Sequence, residues 1–310
     1  MSDTSKLFYT KNGYAAMKIA RRLLSLEAGE RIPRIDDFVK QLSTGRGTVQ
    51  GALKLLEEMK AVCLETRGHM GTFLIQKDEA ALWEVAGLGR LVGVMPLPYS
   101  RKYEGLATGL MESFESQGIP FSLAYMRGAA HRIETLRHGR YDFAVVSRFA
   151  GEVAVQKTKE LQLVKGLGSG SYVSGHEVFF SNPRETVIRD GMYVGIDPSS
   201  TDQALLTEYE CKEKRVQWVE ISYMQLLDML KEGKIDAAVW NKDEVKFSLP
   251  LGRGKLQSRQ AYETSLAMSE AVVVTAHKTE EFYPIIDRLD PVQVRRVQQM
   301  VEQGETYPRY

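Results

Sequence analysis

Three stripes of apolar residues at helical spacing follow one another near the N-terminus. The first spans residues 14–26, the second is short and follows Pro33, and the third begins at Arg46 after a turn at 43–45. The positions expected to face inward are Ala15, Ile19, Leu23 and Leu26, then Ile35, Phe38, Val39 and Leu42, and finally Val49, Leu53, Leu56 and Met59.

Two β-type stretches come next, residues 62–66 and 71–75, around a tip at residues 67–70. Two helices, a turn, a third helix and a hairpin in this order predict a winged helix-turn-helix, the fold of many DNA-binding domains. We place this domain at residues 1–77, followed by a helical linker at residues 78–90.

From Leu91 to the end of the chain, residues 91–310, short apolar runs alternate with helical patterns. This alternation predicts a parallel sheet with helices on its faces. Strands are predicted at 91–95, 120–126, 142–147, 193–196, 216–220, 236–240 and 270–275. Helices are predicted at 103–116, 130–137, from 201, at 223–231, near 280–289 and at 292–303.

One segment of this region occurs twice in related form. LRHGRYDFAVVS starts at Leu136 and LKEGKIDAAVWN at Leu230, with Gly, Asp, Ala and Val at the same spacing. Each repeat reads as a helix that ends at Gly, followed by a buried strand that starts near Asp. The repeat indicates two α/β lobes of the same design, although chance is an alternative because Gly-x-x-Asp often precedes a buried strand.

Composition narrows the class of protein. With 310 residues, 43% hydrophobic and 26% charged, the chain is expected to be soluble and to form more than one core. No apolar run approaches the roughly 18 to 20 residues of a membrane span, and the N-terminus lacks the apolar stretch of a signal peptide. Cys63 and Cys211 are far apart, so we expect reduced thiols and a cytoplasmic protein that does not bind a membrane.

Charge is unevenly distributed along the chain. Residues 1–77 hold 13 Lys and Arg against 8 Asp and Glu, whereas the remainder holds 28 against 32. A basic N-terminal domain on a mildly acidic body is typical of a polyanion partner for the first part only, although a solvated basic surface is an alternative.

The N-terminal segments RIPRIDDFVKQLSTGRGTVQGALKLLEEMKAV and ETRGHMGTFL resemble the DNA-binding domain of the GntR family of bacterial transcription regulators. The resemblance implies that Arg46 and Thr48 begin the recognition helix and that Arg67, Gly68 and His69 lie at the wing tip. The sequence departs from the family at Asp36, where a basic residue is common, and at Gln50, where Arg is common.

Physical reasoning predicts the same contacts with double-stranded operator DNA. The start of a recognition helix enters the major groove, where Arg46 can pair with guanine and Gln50 with adenine. Thr44 and Thr48 are suited to phosphate, and Arg67 and His69 to the minor groove. The alternative is a winged helix that contacts protein instead of DNA.

The remaining segments MPLPYSRKYEGLATGL, AYMRGAAHR, YDFAVVSR, IDPSSTDQ and SEAVVV are similar to the YhfZ-like regulators. The similarity implies a GntR-type winged helix joined to a two-lobed α/β domain of the type 2 periplasmic-binding-protein fold, as in the effector domains of the LysR group. It implies a regulatory role but no particular effector.

Ligands of such folds bind beyond the carboxyl ends of the strands, in the cleft between the lobes. Arginines and the hydroxyl-rich start of a helix at that edge predict a small anionic effector. The expected contacts are Pro98, Tyr99, Arg101, Arg127, Ser147, Arg148, Ser199, Ser200, Thr201, Asp202 and Asn241, with Trp240 offering a ring face. Ordinary helix caps and surface charges are the alternative explanation of these residues.

Motifs for catalysis and cofactors are missing from the sequence. The five histidines have neither HxxH nor HExxH spacing, so we expect no metal and no cofactor. One alternative is a binding-protein fold with acquired catalysis, with Glu270 or Asp197 as base, and another is a solute-binding protein of a transporter.

We therefore expect a non-enzymatic, allosteric repressor or activator that acts as a homodimer on two half-sites. The sequence leaves open whether the tail 304–310, with Tyr307 and Tyr310, is disordered or docks on a partner subunit.

Overall fold

The computed structural model describes residues 10–245, 249–277 and 282–310, which form two compact units. Residues 1–91 and 114–122 belong to the first unit, and residues 92–113 and 123–310 to the second. The helices are α1 (Lys11–Leu24), α2 (Ile35–Leu42), α3 (Arg46–Glu58), α4 (Glu79–Ala86), α5 (Arg101–Glu115), α6 (Ala129–Arg137), α7 (Arg148–Lys157), α8 (Thr201–Cys211), α9 (Tyr223–Lys231), α10 (Arg259–Met268), α11 (Tyr283–Asp287) and α12 (Pro291–Gln303). The strands are β1 (Val62–Thr66), β2 (Thr72–Lys77), β3 (Leu91–Met95), β4 (Phe121–Tyr125), β5 (Phe143–Ser147), β6 (Leu161–Gly166), β7 (His176–Phe180), β8 (Tyr193–Ile196), β9 (Gln217–Glu220), β10 (Ala237–Asn241), β11 (Gly252–Gly254) and β12 (Ala271–Ala276).

The first unit contains the predicted winged helix-turn-helix. Helices α1 to α3 bury most of the expected positions, whereas Leu26, Ile35, Val39 and Leu42 are only half-buried. The antiparallel hairpin of β1 and β2 closes the domain. Arg31 adds an isolated bridge to Phe73 beside the hairpin. Met59 was expected in the apolar stripe of α3, but it is 50% exposed because the helix ends at Glu58 and Met59 is its C-cap.

Residues 78–90, predicted as a linker, contain helix α4. This helix packs on α1, where the Arg21 guanidinium donates to the carbonyl of Ala86 at 2.9 Å. The indole of Trp83 is buried and donates to the carbonyl of Gly89 at 2.6 Å. The linker segment is therefore helical, as expected, and is held against the first helix of the same unit.

Two five-stranded sheets follow, each the core of one lobe. Lobe 1 has the strand order β4-β3-β5-β12-β6 and lobe 2 has the order β11-β7-β10-β8-β9. The prediction of parallel sheets was wrong in part. Strand β12 runs antiparallel to β5 and β6, and β7 runs antiparallel to β10 and β11. A fully buried strand has the same apolar pattern in either direction, so the sequence did not reveal this reversal.

The repeated segment has a shared structural role in the two lobes. Asp142 accepts a hydrogen bond from the backbone N–H of Val92 at 2.7 Å, and Asp236 accepts one from Tyr193 at 2.8 Å. Each carboxylate thereby fixes the start of the neighbouring parallel strand, β3 or β8. The preceding turns need Gly139 and Gly233, whose φ angles are 73° and 66°.

The C-terminal segment returns to lobe 1. Helix α12 packs on α5, so closely that Gly105 faces the backbone of Gln298. The ring of Tyr310 lies against Tyr125 with 5.5 Å between ring centroids, and the N–H of Arg309 donates to Thr108 Oγ1 at 3.0 Å. Of the two alternatives for the tail, neither describes this arrangement, because its last residues dock on their own chain. The beginning of the helix predicted near 280 lies outside the described residues.

Candidate functional site

The predicted DNA contacts are gathered at the start of α3 and on the wing. Arg46 is the first residue of α3, and its guanidinium forms an ion pair with Asp36 of α2 at 2.9 Å. Both side chains are exposed, at 64% and 60%, and Gln50 is exposed one turn further on. Thr48 is half-buried. The unusual Asp36 therefore contacts the residue to which we assign the principal base contact.

The wing tip presents one arginine that is held by its neighbours. The guanidinium of Arg67 donates to the Glu65 carboxylate at 2.8 Å and lies over the Phe73 ring, 4.6 Å from its centroid. This hydrogen bond from Arg67 lowers the pKa of Glu65. Gly68 and His69 form a short exposed turn beside it. Thr44 is half-buried in the turn before α3.

A cleft of about 620 Å³ lies in the second unit at the carboxyl ends of strands from both lobes. Its lining is mostly apolar and aromatic, with a small number of polar groups, as in many small-molecule sites. The lining residues include Leu97, Tyr99, Tyr103, Met126, Arg127, His131, Arg132, Tyr172, Val173, His176, Ser199, Ser200, Thr201, Asp202, Gln203, Val239, Trp240, Asn241, Glu244 and Met268.

Seven of the predicted ligand contacts lie in this lining, and four do not. Those present are Tyr99, Arg127, Ser199, Ser200, Thr201, Asp202 and Asn241. Those absent are Pro98, Arg101, Ser147 and Arg148.

The absent polar residues are engaged elsewhere. Arg148 makes a two-pronged ion pair with Glu270, at 2.6 Å and 2.7 Å, which lowers the pKa of that carboxyl. Arg101 pairs with Glu104 on its own helix at 3.2 Å. Ser147 is fully buried and caps α7. A position at a strand end therefore does not by itself bring a side chain into the cleft.

Several lining residues were not predicted, among them Arg132, Tyr172 and His176. Arg132 comes from the interior of α6, while Tyr172 and His176 come from the segment that leads from β6 into β7. The rule that selects residues at the carboxyl ends of strands excludes all three. The apolar run Val178-Phe179-Phe180 was the available signal that a strand begins near His176.

Hydrogen bonds from two side chains of lobe 1, Arg127 and Ser147, cross the cleft to lobe 2. Arg127 of lobe 1 donates to Asp197 and to Ser222 of lobe 2, both at 3.2 Å. The Ser147 hydroxyl donates to Asp202 at 2.9 Å. The lobes are thus held together by polar contacts that a separation of the lobes would break.

Burial shifts the pKa of several groups in the cleft: it raises the pKa of the Tyr172 hydroxyl, and it also affects Asp202 and His176. It raises the pKa of Asp202, against the opposing effects of the Ser147 hydrogen bond and of Arg132. It lowers the pKa of His176 to about 4, with a further contribution from Lys242. His176 is therefore neutral near pH 7, and its Nδ1 lies 3.0 Å from the Ser265 hydroxyl.

Within the described residues, no group of three or more His, Cys, Asp or Glu side chains is placed to hold a metal ion. No helix in the described part of the chain has the length and apolar character needed to span a bilayer.

Comparison with known proteins agrees with this architecture. Residues 27–74 match a family model described as a helix-turn-helix domain, and residues 78–310 match the YhfZ C-terminal domain. The chain is 35% identical over 312 residues to YhfZ of Escherichia coli (strain K12), covering 98% of this chain and 99% of that protein.

Solved structures show the same relationship. The crystal structure of YhfZ from Shigella flexneri aligns with a TM-score of 0.61 and 34% identity, covering 75% of this chain and 98% of that one. The periplasmic aliphatic sulphonate binding protein SsuA from Escherichia coli aligns with a TM-score of 0.53 and 12% identity, covering 70% of this chain and 75% of that one, which shows a shared fold. The winged-helix unit, the two-lobed α/β architecture and these matches together show that the chain belongs to the YhfZ family.

Proposed function

We propose that this protein is a transcription regulator that binds operator DNA through its winged helix and a small metabolite in the cleft. One observation supports this most strongly: a helix-turn-helix domain and a binding-protein fold with a cleft between its lobes occur in the same chain. A module that binds DNA and a module that binds a ligand, once joined, form a metabolite-responsive switch.

The DNA contacts of this proposal follow the GntR pattern. Arg46 would reach a guanine, with Gln50 reading an adjacent base and the wing entering the minor groove. The Arg46–Asp36 ion pair restricts the guanidinium at the start of α3, so less conformational freedom is lost when it meets a base.

We further propose that the effector carries an acidic group. Arg132 places a fixed positive charge in the lining, and Ser200 and Thr201, whose hydroxyls can donate to an anion, line the same cleft. Of the arginines first expected to attract the anion, Arg127 lies in the cleft but shares its charge with Asp197.

Ligand binding in the cleft would favour the closed arrangement of the lobes and change the affinity of a homodimer for its two half-sites. Linkage requires that DNA change effector affinity by the same factor. Catalysis is not part of the proposal: Glu270 is held by Arg148, and Asp197 by Arg127 and Ser199, so both acids considered as bases are occupied.

Replacing Arg46 by Ala tests the DNA-binding part. Loss of a two-pronged contact to guanine costs about 1–3 kcal/mol, so binding to the promoter region of its own gene should weaken about 10-fold or more in a gel-shift titration. Effector affinity and melting temperature should stay near those of the parent protein.

Arg140→Ala is the matched control, because it removes one exposed positive charge from the ligand-binding region instead. Equal weakening by both variants would show that only overall charge matters. Unchanged binding by the Arg46 variant would remove Arg46 from the interface.

A further inference from the structure

Two charged side chains of opposite sign meet in the cleft, one from each lobe. Arg132 belongs to α6 of lobe 1 and is only 3% exposed, while Asp202 belongs to the first turn of α8 in lobe 2. Each retains one buried polar atom without a hydrogen-bond partner among the described residues, the Nε of Arg132 and the Oδ1 of Asp202. Native proteins leave few such atoms, since each costs about 1–3 kcal/mol.

The Arg132 guanidinium is fixed in place by the protein. One terminal nitrogen donates to the carbonyl of Met126 at 2.6 Å, and the other donates to the Tyr172 hydroxyl at 2.9 Å. The Tyr172 ring packs edge-on against Tyr103, with 5.3 Å between centroids. A cation that is built in this way and retains an unused donor is suited to a carboxylate acceptor.

The Asp202 carboxylate is held only in part. Its Oδ2 accepts from Ser147, a residue of the opposite lobe, so this hydrogen bond exists only while the lobes are closed. Its Oδ1 accepts from no donor among the described residues. Opening of the cleft would therefore release a carboxylate that needs donors, and an ammonium group supplies up to three.

Apart from Arg127, which pairs with Asp197, the rest of the lining offers little for further charges. Met126, Val239 and Met268 are apolar, and Tyr99 and Trp240 add ring surface. The other acid in the lining, Glu244, accepts from the Asn241 amide at 3.1 Å. A ligand with one positive and one negative group at one end and an apolar body at the other would match this distribution.

We propose that the effector is a zwitterionic metabolite of the amino-acid type, with its carboxylate at Arg132, its ammonium at Asp202 and its side chain on the apolar wall. This inference rests on the proposed function, because it names the ligand class of the same cleft. It narrows the acidic effector to one that also carries a neighbouring positive charge.

The first test measures melting temperature and calorimetric affinity of the full-length protein with the twenty common L-amino acids. Each one that binds is compared with its N-acetyl derivative, which lacks the ammonium, and with its decarboxylated amine, which lacks the carboxylate. We expect the unmodified amino acid to bind at least about 10-fold more tightly than either derivative. Each derivative leaves one buried charge of the protein, that of Asp202 or of Arg132, without a partner on the ligand.

The second test uses Asp202→Asn, with Glu208→Gln on the exposed side of the same helix as its control. Asp202→Asn should reduce affinity for the amino acid about 10-fold and leave affinity for the corresponding acid without an amino group within about 2-fold. Glu208→Gln should leave both unchanged.

Three results would overturn the inference: equal binding of the N-acetyl derivative, no binding of any amino acid, or an Asp202→Asn variant that folds and binds normally. Binding to promoter DNA, measured with and without metabolite extract, is scored separately. A response to extract without any amino-acid binding refutes only the ligand class, whereas the absence of DNA binding refutes the proposed function.

Discussion

His176 shows how one residue connects the cleft to stability. Its ring lies in the lining beside Ser265, and burial lowers its pKa to about 4 from an ordinary 6.5. The folded state thus binds the proton more weakly than the unfolded state. The stability contributed by the neutral ring is fully present above about pH 6.5 and is lost as the pH falls toward 4.

We therefore expect the parent protein to lose about 2 kcal/mol of unfolding free energy through this group between pH 7.5 and pH 5, measured by urea denaturation. His176→Gln should remove this part of the pH dependence. The control is His138→Gln, at an exposed histidine. If the His176 and His138 variants show the same pH dependence, the buried ring does not titrate as described.

Residues at strand ends were predictable as part of the site, and others were not. Arg127 and Asp202 follow strands β4 and β8 closely, so the topology alone brings them to the cleft. Arg132 and Tyr172 reach the cleft from a helix interior and from an irregular segment, and their positions depend on packing between elements. The sequence also did not show which arginine faces the cleft. Arg148 is held by Glu270, which lies 122 residues away along the chain.

At the level of elements, the close packing of α5 on α12 sets a strict limit on residue size. A Cβ added at Gly105 would lie 2.6 Å from the carbonyl oxygen of Gln298 and 2.9 Å from its Cα. Backbone atoms cannot move aside as a flexible side chain can. The two helices would have to separate to accept any larger residue.

Gly105→Ala should therefore destabilise the protein by about 1–3 kcal/mol in chemical denaturation. Gly47, in the first turn of α3, is the matched helical glycine, with open space where a Cβ would be added. Gly47→Ala should stabilise its unit by up to about 1 kcal/mol, because alanine favours helix. If both substitutions changed the free energy of unfolding in the same direction, the packing argument would be contradicted.

The elements that the pattern predicted are those with clear periodicity, including α3, α9 and β10. Helices α7 and α10 and strands β6, β7 and β11 were missed. Residues 148–180, for example, mix short apolar runs with Lys, Gln, Glu and Gly. Strand direction was missed for a different reason. Direction depends on how the chain crosses between lobes, and a run such as Ala-Val-Val-Val-Thr-Ala fits a buried sheet either way.

At the level of the whole molecule, the closed cleft depends on a small number of polar contacts. Arg127 pairs with Asp197, which is 4% exposed, while the arginine itself is 43% exposed. The contact is therefore only partly shielded from water, and we expect it to bias the equilibrium between closed and open lobes without fixing it.

Arg127→Gln should shift this equilibrium toward the open form. Hydrogen exchange of the backbone at residues 199–204 should become about 3-fold to 10-fold faster, because the closed form loses the free energy of one charge-assisted hydrogen bond. Arg101→Gln is the control, since Arg101 pairs only within its own helix in the described structure. Equal exchange in the two variants would show that the contact does not hold the lobes together.

The position of β12 has a consequence for the newly made chain. Residues 271–276 lie between β5 and β6 in the sheet of lobe 1, so these two strands stay apart until more than a hundred later residues have been added. At about 5–20 residues per second, the ribosome needs on the order of ten seconds for this. During that interval the edges of β5 and β6 can pair with foreign strands, whereas the winged helix already has all its partners. The nascent protein therefore passes through a stage in which its winged helix-turn-helix is complete while the sheet of lobe 1 still has unpaired strand edges.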